Sequence, residues 1–306
     1  MTEPTKTYSQ MRQDFLTKYQ KKIVPKIQYL DGERKQRLFS SIVLVAFFCF
    51  CGLACLFLPY TRNTLEFSFG LFSFAFLSWY CNKKQFEKKI KAKIMPIICS
   101  CFENLHWSEG FYQDGNLFMR SNLVKTFNRE DYDDIFEGSF KGVDFEIIEA
   151  LYRKGENTKE SAVIFAGVIV KLNMNKKFSG HTVIYPDTIG HFSPASHLRH
   201  TTLEDIKFEK NFDVYTDDEV EARYLITPSF MERLNDMKTS FKANSVRCAF
   251  YNNHLLIGLQ TNKDLFSVGS LTKTVDTASQ YFQMYEEIIS IVKLIDHFKL
   301  NQKIGL

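Results

Sequence analysis

The sequence predicts an α+β protein with an N-terminal two-helix transmembrane hairpin, followed by a cytosolic domain with an antiparallel sheet and a long C-terminal helix. Three observations support this fold class. Two apolar runs lie before residue 82, and lysine-rich sequence flanks them on the outer sides. From about residue 100 the apolar residues alternate, which is typical of strands. In residues 277–300 the apolar residues recur with the period of a helix.

The composition excludes several classes of protein and divides the chain by charge. The 306 residues are 45% hydrophobic and 24% charged, which excludes a disordered tail, a collagen and a disulfide-rich miniprotein. Residues 1–93 contain 16 Lys and Arg against 6 Asp and Glu, whereas residues 94–306 contain 23 against 29. A basic half suggests a polyanionic partner, and the adjoining apolar runs favour a lipid bilayer over nucleic acid.

Both apolar runs are long enough to cross a membrane. Residues 39–60 carry no charge and would form a helix of about 33 Å, while residues 64–81 carry one charge, Glu66, near their start. Three residues separate the runs, so both outer ends lie on one side. The outer flanks are rich in Lys and Arg, whereas the loop holds only Arg62, which predicts an inner (cytoplasmic) membrane protein with two spans and both termini cytosolic. Two buried helices of a soluble core are the alternative.

This interpretation divides the chain into four parts. They are a cytosolic amphipathic N-terminal arm (1–38), the transmembrane hairpin (39–81), a basic juxtamembrane helix (82–105) and the cytosolic α+β domain (106–306). An apolar residue recurs at every fourth position in both juxtamembrane segments, so we expect their stripes to pair and their lysines to face outward. Contact with anionic lipid is expected through Lys83, Lys84, Lys88 and Lys89, and a solvated charged face is the alternative.

Three hairpins and two helices are predicted in the cytosolic domain. The hairpins pair residues 135–140 with 143–151, 162–172 with 180–185, and 246–251 with 254–260. Helices are expected at 229–241, where Thr227 could act as the N-cap, and at 277–300. The alternating residues 212–227 predict a further strand pair with a charged turn.

Several separated motifs resemble one bacterial membrane family. They are Asp144-Phe145-Glu146, FAGVIVKLNMNKKFSGHTVIYPD (165–187), FDVYTDDEVEARYLITPSFMERL (212–234), Lys263-Asp264-Leu265-Phe266 and the terminal IVKLIDHFKLN. Together they are similar to domain-of-unknown-function family 3137, whose usual arrangement is two spans before a conserved domain. The resemblance implies a bacterial, membrane-anchored protein, and it implies no activity or catalytic residues.

The densest group of candidate ligands lies in the histidine-rich loop, residues 181–200. Its candidates are His181, Asp187, His191, His197 and His200. The spacing of the last two would place them on one helix face, which suits zinc. Since no His-Glu-x-x-His motif or paired cysteines accompany them, we expect ordinary loop residues and no metal. The acidic residues 213–221, with Asp131, Asp133 and Asp134, are expected to be solvated turn residues or a helix-start cluster.

No motif in the chain indicates a known reaction. The phosphate-binding loop, the dinucleotide-binding motif and the nucleophile elbow do not occur. We therefore predict a noncatalytic, membrane-anchored binding or scaffold module without a cofactor. Its partner would be an unknown protein, a lipid headgroup or a small ligand, and it could form a homo-oligomer. The alternative is a membrane-tethered, metal-dependent hydrolase that uses the histidine-rich loop 181–200.

Overall fold

The chain divides into two compact units. The computed structural model describes residues 6–56, 62–155, 161–175, 177–187, 195–262, 265–272, 274, 278–298 and 300. The helical unit comprises Thr7–Cys101 and Ser267–Tyr285, and the sheet unit comprises Met1–Lys6, Phe102–Phe266 and Glu286–Leu306.

The N-terminal helices of the helical unit follow one another closely along the chain. Helix α1 has a capping box, in which the Thr7 hydroxyl oxygen accepts a hydrogen bond from the Gln10 N–H and the Gln10 side chain accepts one from the Thr7 N–H. The helices are α1 (Tyr8–Lys18), a π-helical turn (Tyr19–Ile23), α2 (Val24–Leu56) and α3 (Arg62–Cys99).

Helices α2 and α3 run antiparallel. In the first third of α2, Glu33 accepts a hydrogen bond from Lys89 of α3. Towards the end of α2, the ring of Phe48 lies 4.9 Å from that of Phe74. The expected apolar stripes are buried, and Phe15 also stacks on Tyr285 at the start of the last helix, with ring centroids 4.4 Å apart. The N-terminal arm therefore has a second packing partner, which the sequence did not indicate.

The outward orientation expected for the lysines holds only in part. Lys84 and Lys88 are exposed, whereas Lys91 is buried with 6% exposure. Lys93 is half-buried, and its ammonium lies 4.8 Å from the ring centroid of Tyr29. The expectation is therefore wrong for Lys91, because its place on α3 is on the packed side of the helix.

One described helical segment is long and apolar enough to cross a membrane, by length and composition. It is Tyr8–Cys55, and only 11% of its most apolar stretch is buried. The second predicted span, residues 64–81, lies within α3 and does not qualify by the same measure. It is less apolar than the first run, since it contains Glu66, Trp79, Tyr80 and three serines.

The described part of the sheet unit contains a nine-stranded antiparallel sheet in the order β1-β2-β3-β4-β9-β8-β5-β7-β6. The strands are β1 (His106–Glu109), β2 (Arg129–Phe140), β3 (Val143–Lys154), β4 (Ala162–Asn173), β5 (Thr182–Pro186), β6 (Arg199–Thr201), β7 (Phe212–Thr216), β8 (Ser245–Tyr251) and β9 (His254–Gln260). The remaining helices are α4 (Gly115–Arg120), α5 (Ile206–Glu209), α6 (Glu219–Leu225), α7 (Pro228–Ser240) and α8 (Ala278–His297). The predicted α+β class with an antiparallel sheet and a C-terminal helix is confirmed.

Two of the three predicted hairpins are confirmed. Strands β2 and β3 are joined by Lys141 and Gly142, and β8 and β9 by Asn252 and Asn253. All four residues have positive φ, between 49° and 76°. Tight hairpin turns require this conformation, and glycine and asparagine adopt it at low cost.

The other predicted pairings are wrong. Strand β4 pairs with β3 and β9, whereas β5 pairs with β7 and β8, so these two strands do not form a hairpin. Residues 219–225 form helix α6 in place of a strand. The Asp218 carboxylate accepts a hydrogen bond from the Glu221 N–H at 2.9 Å, and the acidic residues that follow stabilise the start of the helix.

One face of the sheet carries a cluster of buried apolar residues. Ile148 and Ile169 lie opposite each other and belong to this cluster. Two residues closer to the β2–β3 turn, Glu146 lies opposite Lys171. Because side chains two apart on a strand share a face, these charged residues continue the face of the apolar core.

Candidate functional site

A cavity of about 150 Å³ lies beside these charged residues. Its lining residues are Glu137, Gly138, Asp144, Phe145, Glu146, Lys171, Asn173 and His254. The register accounts for the grouping, because Glu137 is opposite Glu146 and Asn173 is opposite His254. Four strands that are neighbours in the sheet therefore contribute to one cavity, which we call the sheet-end cavity.

Two of the charges in the sheet-end cavity neutralise each other. The Lys171 ammonium donates a hydrogen bond to one oxygen of the Glu146 carboxylate at 2.9 Å. The hydroxyl of Tyr112 donates to the other oxygen. Burial and the neighbouring Glu146 raise the pKa of Tyr112, so the hydroxyl stays protonated. Glu146 is thus held from both sides by a charge-assisted network.

The other polar residues of the cavity have fewer partners. Glu137 and Asp144 are exposed, and neither carboxylate forms a hydrogen bond or ion pair with the described residues. The Nδ1 atom of His254 is buried and has no hydrogen-bond partner there. Burial, and next the charge of Lys171, lower the pKa of His254 below its usual value, so the ring is neutral at pH 7. The cavity therefore has a negative charge balance.

The structure brings together two of the histidine-rich candidates, His181 and His197. Nε2 of His181 lies 2.9 Å from the Ser121 carbonyl oxygen, so this nitrogen must be the donor. In a neutral ring Nδ1 is then an acceptor, and it lies 3.3 Å from Nε2 of His197. Burial lowers the pKa of His181, which favours the neutral ring. Both ring nitrogens of His181 are occupied.

The remaining candidates are placed differently from the expectation. Asp187 is exposed and donates its backbone N–H to the Asn211 carbonyl. His200 lies in β6, where Nε2 is 3.6 Å from an Asp213 carboxylate oxygen. The expected helix face shared with His197 is wrong, because β6 pairs with β7. His191 lies outside the described residues.

We expect no tight zinc site in the histidine-rich loop. Coordination by His181 would break one of its two hydrogen bonds, and the described residues place no third ligand atom within 4.8 Å of this pair. Elemental analysis of zinc-treated, gel-filtered protein should find clearly less than one zinc per chain. Stoichiometric zinc that is lost in H197A/H200A and kept in the control H106A would contradict this prediction.

A group of carboxylates that the sequence did not indicate lies at a bulge between β2 and β3. Ligand atoms of Asp133, Asp134 and Glu149 lie within 4.8 Å of one another. Asp134 is fully buried and accepts a hydrogen bond from the Trp107 indole at 2.7 Å, so the prediction of a solvated turn is wrong for it. At the bulge, β2 contains one residue more than β3, which shifts the strand register. This shift brings Glu149 close to the two aspartates.

The sequence analysis also missed the sheet-end cavity. One signal was present, since Lys171 is a charged residue within the long apolar run of β4. In a central strand such a residue is expected to have a partner or a role. The identity of its neighbours depends on strand pairing, which no local pattern specifies.

Comparison with known proteins gives a family match for part of the chain and no function. Residues 163–300 match the model of the family described as "Protein of unknown function (DUF3137)". No curated protein matches the chain. The chain is also similar to a solved structure, that of the mycobacterial trehalose monomycolate transport factor A (TtfA), with 9% sequence identity. The alignment covers 66% of this chain and 91% of the TtfA chain. Its TM-score of 0.36 is too low to support an argument. The match over residues 163–300 supports the assignment of this part of the chain to domain-of-unknown-function family 3137.

Proposed function

We propose that this protein is a binding module held at the cytosolic face of the inner membrane by a two-span hairpin. The observation that supports this proposal most strongly is a set of exposed large apolar side chains on α2 and α3, which we call the apolar belt. Its members are Phe39, Ile42, Val43, Leu44, Phe47, Phe50, Leu53, Leu65, Phe67, Phe69, Phe74, Phe76, Leu77 and Tyr80. Soluble proteins rarely expose an apolar surface of this kind, and a bilayer is the occupant that fits it.

The length and the flanks of the belt also favour a bilayer. Its members extend from Phe39 to Leu53 and from Leu65 to Tyr80, and they fall within the two predicted apolar runs. Part of the belt lies on α3, which supports a second span even though that helix is less apolar by composition. The lysine- and arginine-rich flanks favour cytosolic termini. Exposed Lys84 and Lys88 suit anionic headgroups. Lys83 and Lys89 form ion pairs with Glu87 and Glu33, respectively.

The role of the sheet unit is the second part of the proposal. The unit contributes a cavity with a carboxylate-rich lining and no recognisable reaction motif, which favours binding over catalysis. Anchoring would keep its binding surface at the membrane without an added contact. A homo-oligomer or an unknown protein partner is compatible with this role.

Membrane insertion is tested by adding charge to the apolar belt. We expect F47K/F50K to lose resistance to alkaline carbonate extraction, because two lysines near the middle of a span cost about 5–7 kcal/mol of insertion free energy. The matched control V163K/I206K introduces the same charges at exposed apolar positions of the sheet unit and should stay in the membrane fraction. Equal behaviour of the two variants would contradict the belt as the anchor.

The number of spans is tested with two reporters. With two spans, a reporter fused after residue 306 should be active only in the cytosol, and one inserted at residues 61–63 should be active only outside it. A single span through α2 would place the C-terminal reporter outside when the N-terminus is cytosolic. That outcome would overturn the two-span hairpin and leave membrane anchoring in place.

A further inference from the structure

We propose that Arg247 of β8 binds the carboxylate group of a small organic acid. The inference rests on the proposed binding role of the sheet unit and names the class of its ligand. It does not depend on the membrane anchor, so the membrane experiments and the binding experiment can fail separately.

Arg247 carries a permanent positive charge into the core of the sheet unit. Ala249, two residues further along β8, belongs to the buried apolar cluster, and side chains two apart on a strand share a face. Arg247 is only 4% exposed. Burial lowers its pKa because the charged form loses contact with water, but an arginine side chain keeps its proton in proteins.

The neighbours of Arg247 hold its guanidinium in one place. Gly258 lies opposite on β9, and a Cβ there would lie 3.0 Å from the Cγ of Arg247, so the glycine leaves room for the arginine stem. The guanidinium carbon lies 5.6 Å from the ring centroid of Phe165. Nη2 donates to the Gln260 Oε1 at 2.7 Å, and the Ser245 hydroxyl donates to the same oxygen at 3.2 Å. A guanidinium fixed in this way loses little conformational entropy when it binds a ligand.

The described residues supply no negative charge to compensate Arg247. Its contacts there with Gln260 and Phe165 are with neutral groups. Tyr185, on the neighbouring strand β5, is close enough to interact with the charge. Burial raises the pKa of Tyr185, and its hydroxyl donates to the Asn122 carbonyl, so Tyr185 stays neutral. A buried charge without a counter-ion is unfavourable, and an anionic ligand would remove this cost.

Part of the guanidinium remains available to a ligand. Nε is fully enclosed and has no hydrogen-bond partner in the described chain. Nη1 has no partner there either, but this nitrogen is not enclosed. A carboxylate oxygen at Nη1 would therefore supply both the missing hydrogen bond and the missing charge.

The charge balance favours a carboxylate over a phosphate. A carboxylate carries a single negative charge at pH 7, which matches the single charge of Arg247. A phosphate group carries about −1.5 to −2. No second basic side chain of the described residues acts on Arg247, so a phosphate would leave excess negative charge beside the apolar core.

The test is urea unfolding of the full chain in detergent at pH 7, in sodium acetate, sodium phosphate or sodium chloride of equal ionic strength. The substitution W79F leaves the fluorescence of Trp107 in β1 as the reporter of the sheet unit. We expect acetate to raise the unfolding midpoint saturably relative to chloride, because a ligand that binds only the folded state stabilises it. Half-saturation is expected on the order of 1–10 mM for so small a ligand.

Two variants separate binding from the general effect of the salts. R247M keeps an apolar stem and removes the charge, so it should show only the general difference between acetate and chloride. R199M removes an exposed positive charge from β6 and should respond to acetate like the unaltered chain. In chloride alone, R247M should unfold at the same urea concentration as the unaltered chain or at a higher one, since it removes an uncompensated buried charge.

Four outcomes would overturn the proposal. Acetate that gives no saturable shift, or the same shift in the unaltered chain and in R247M, would show that Arg247 binds no carboxylate. A larger Arg247-dependent shift in phosphate than in acetate would identify a site for another class of anion. R247M that fails to fold in chloride, or unfolds at a clearly lower urea concentration, would show that the charge is already compensated within the fold.

Discussion

Replacing Gly167 with alanine is expected to destabilise the sheet unit by several kcal/mol. Gly167 has φ +149°, which side-chain-bearing residues rarely adopt. A Cβ at this position would lie under 3.0 Å from the carbonyl oxygen of Leu259 and from the backbone nitrogen of Thr261. Forcing an L-residue into such a conformation costs about 1–3 kcal/mol, and overpacking against neighbours adds typically about 1–3 kcal/mol.

The unfolding of the sheet unit can be followed through one tryptophan. The chain contains two tryptophans, of which Trp107 lies in β1 and Trp79 in α3. In a W79F background, urea unfolding monitored by fluorescence reports on the sheet unit. G167A should shift its midpoint strongly downwards.

The control for this experiment is G142A. Gly142 also has positive φ, 76°, but nothing lies within 4 Å of a Cβ built there. It should carry only the conformational cost of about 1–2 kcal/mol. Equal shifts for G167A and G142A would show that contact with the neighbouring strand contributes nothing.

Replacing Phe15 with alanine is expected to loosen the helical unit. Phe15 is fully buried, stacks on Tyr285 at 4.4 Å and meets the edge of Phe282 at 5.2 Å. Truncating a buried phenylalanine to alanine typically costs about 3–5 kcal/mol. Because the contacts join α1 to the first half of α8, both segments should lose protection together.

Hydrogen exchange measured by mass spectrometry detects this loss locally. Amides of residues 8–18 and 278–285 should exchange faster in F15A, while those of β8 and β9 in the sheet unit should be unchanged. The neighbouring L16A is the control, since Leu16 is 43% exposed and its truncation leaves no cavity. Faster exchange in α1 alone would contradict the contact with α8.

The contact between α1 and α8 also affects the solubility expected for a truncated chain. Removing the residues before 94 would take Phe15 and Tyr19 away from Tyr281, Phe282 and Tyr285. The apolar face of the first half of α8 would then become exposed to solvent. A truncated chain of residues 94–306 is therefore expected to be less soluble than its net negative charge alone would suggest.

Local patterns predicted most of the elements but few of their neighbours. The helix after Thr227 and the turns at Lys141-Gly142 and Asn252-Asn253 depend on residues adjacent in the chain, so their side-chain chemistry is sufficient to predict them. The strand prediction failed at residues 219–225, where alternation competed with an N-cap and the N-cap prevailed. The helix face expected for His197 and His200 was wrong for a similar reason, because residues three apart share a face on a helix, and His200 lies in strand β6.

The sequence by itself determined the apolar runs, their basic flanks, the α+β class and most strands, since each follows from the composition or period of a short segment. Tertiary structure alone decided that β4 lies between β3 and β9, and thereby that Glu137, Glu146, Lys171 and His254 line one cavity. It also decided that Phe15 meets Tyr285. These contacts join residues far apart in the chain, and strand order and helix packing are set by the free energy of the whole core, which no local segment encodes.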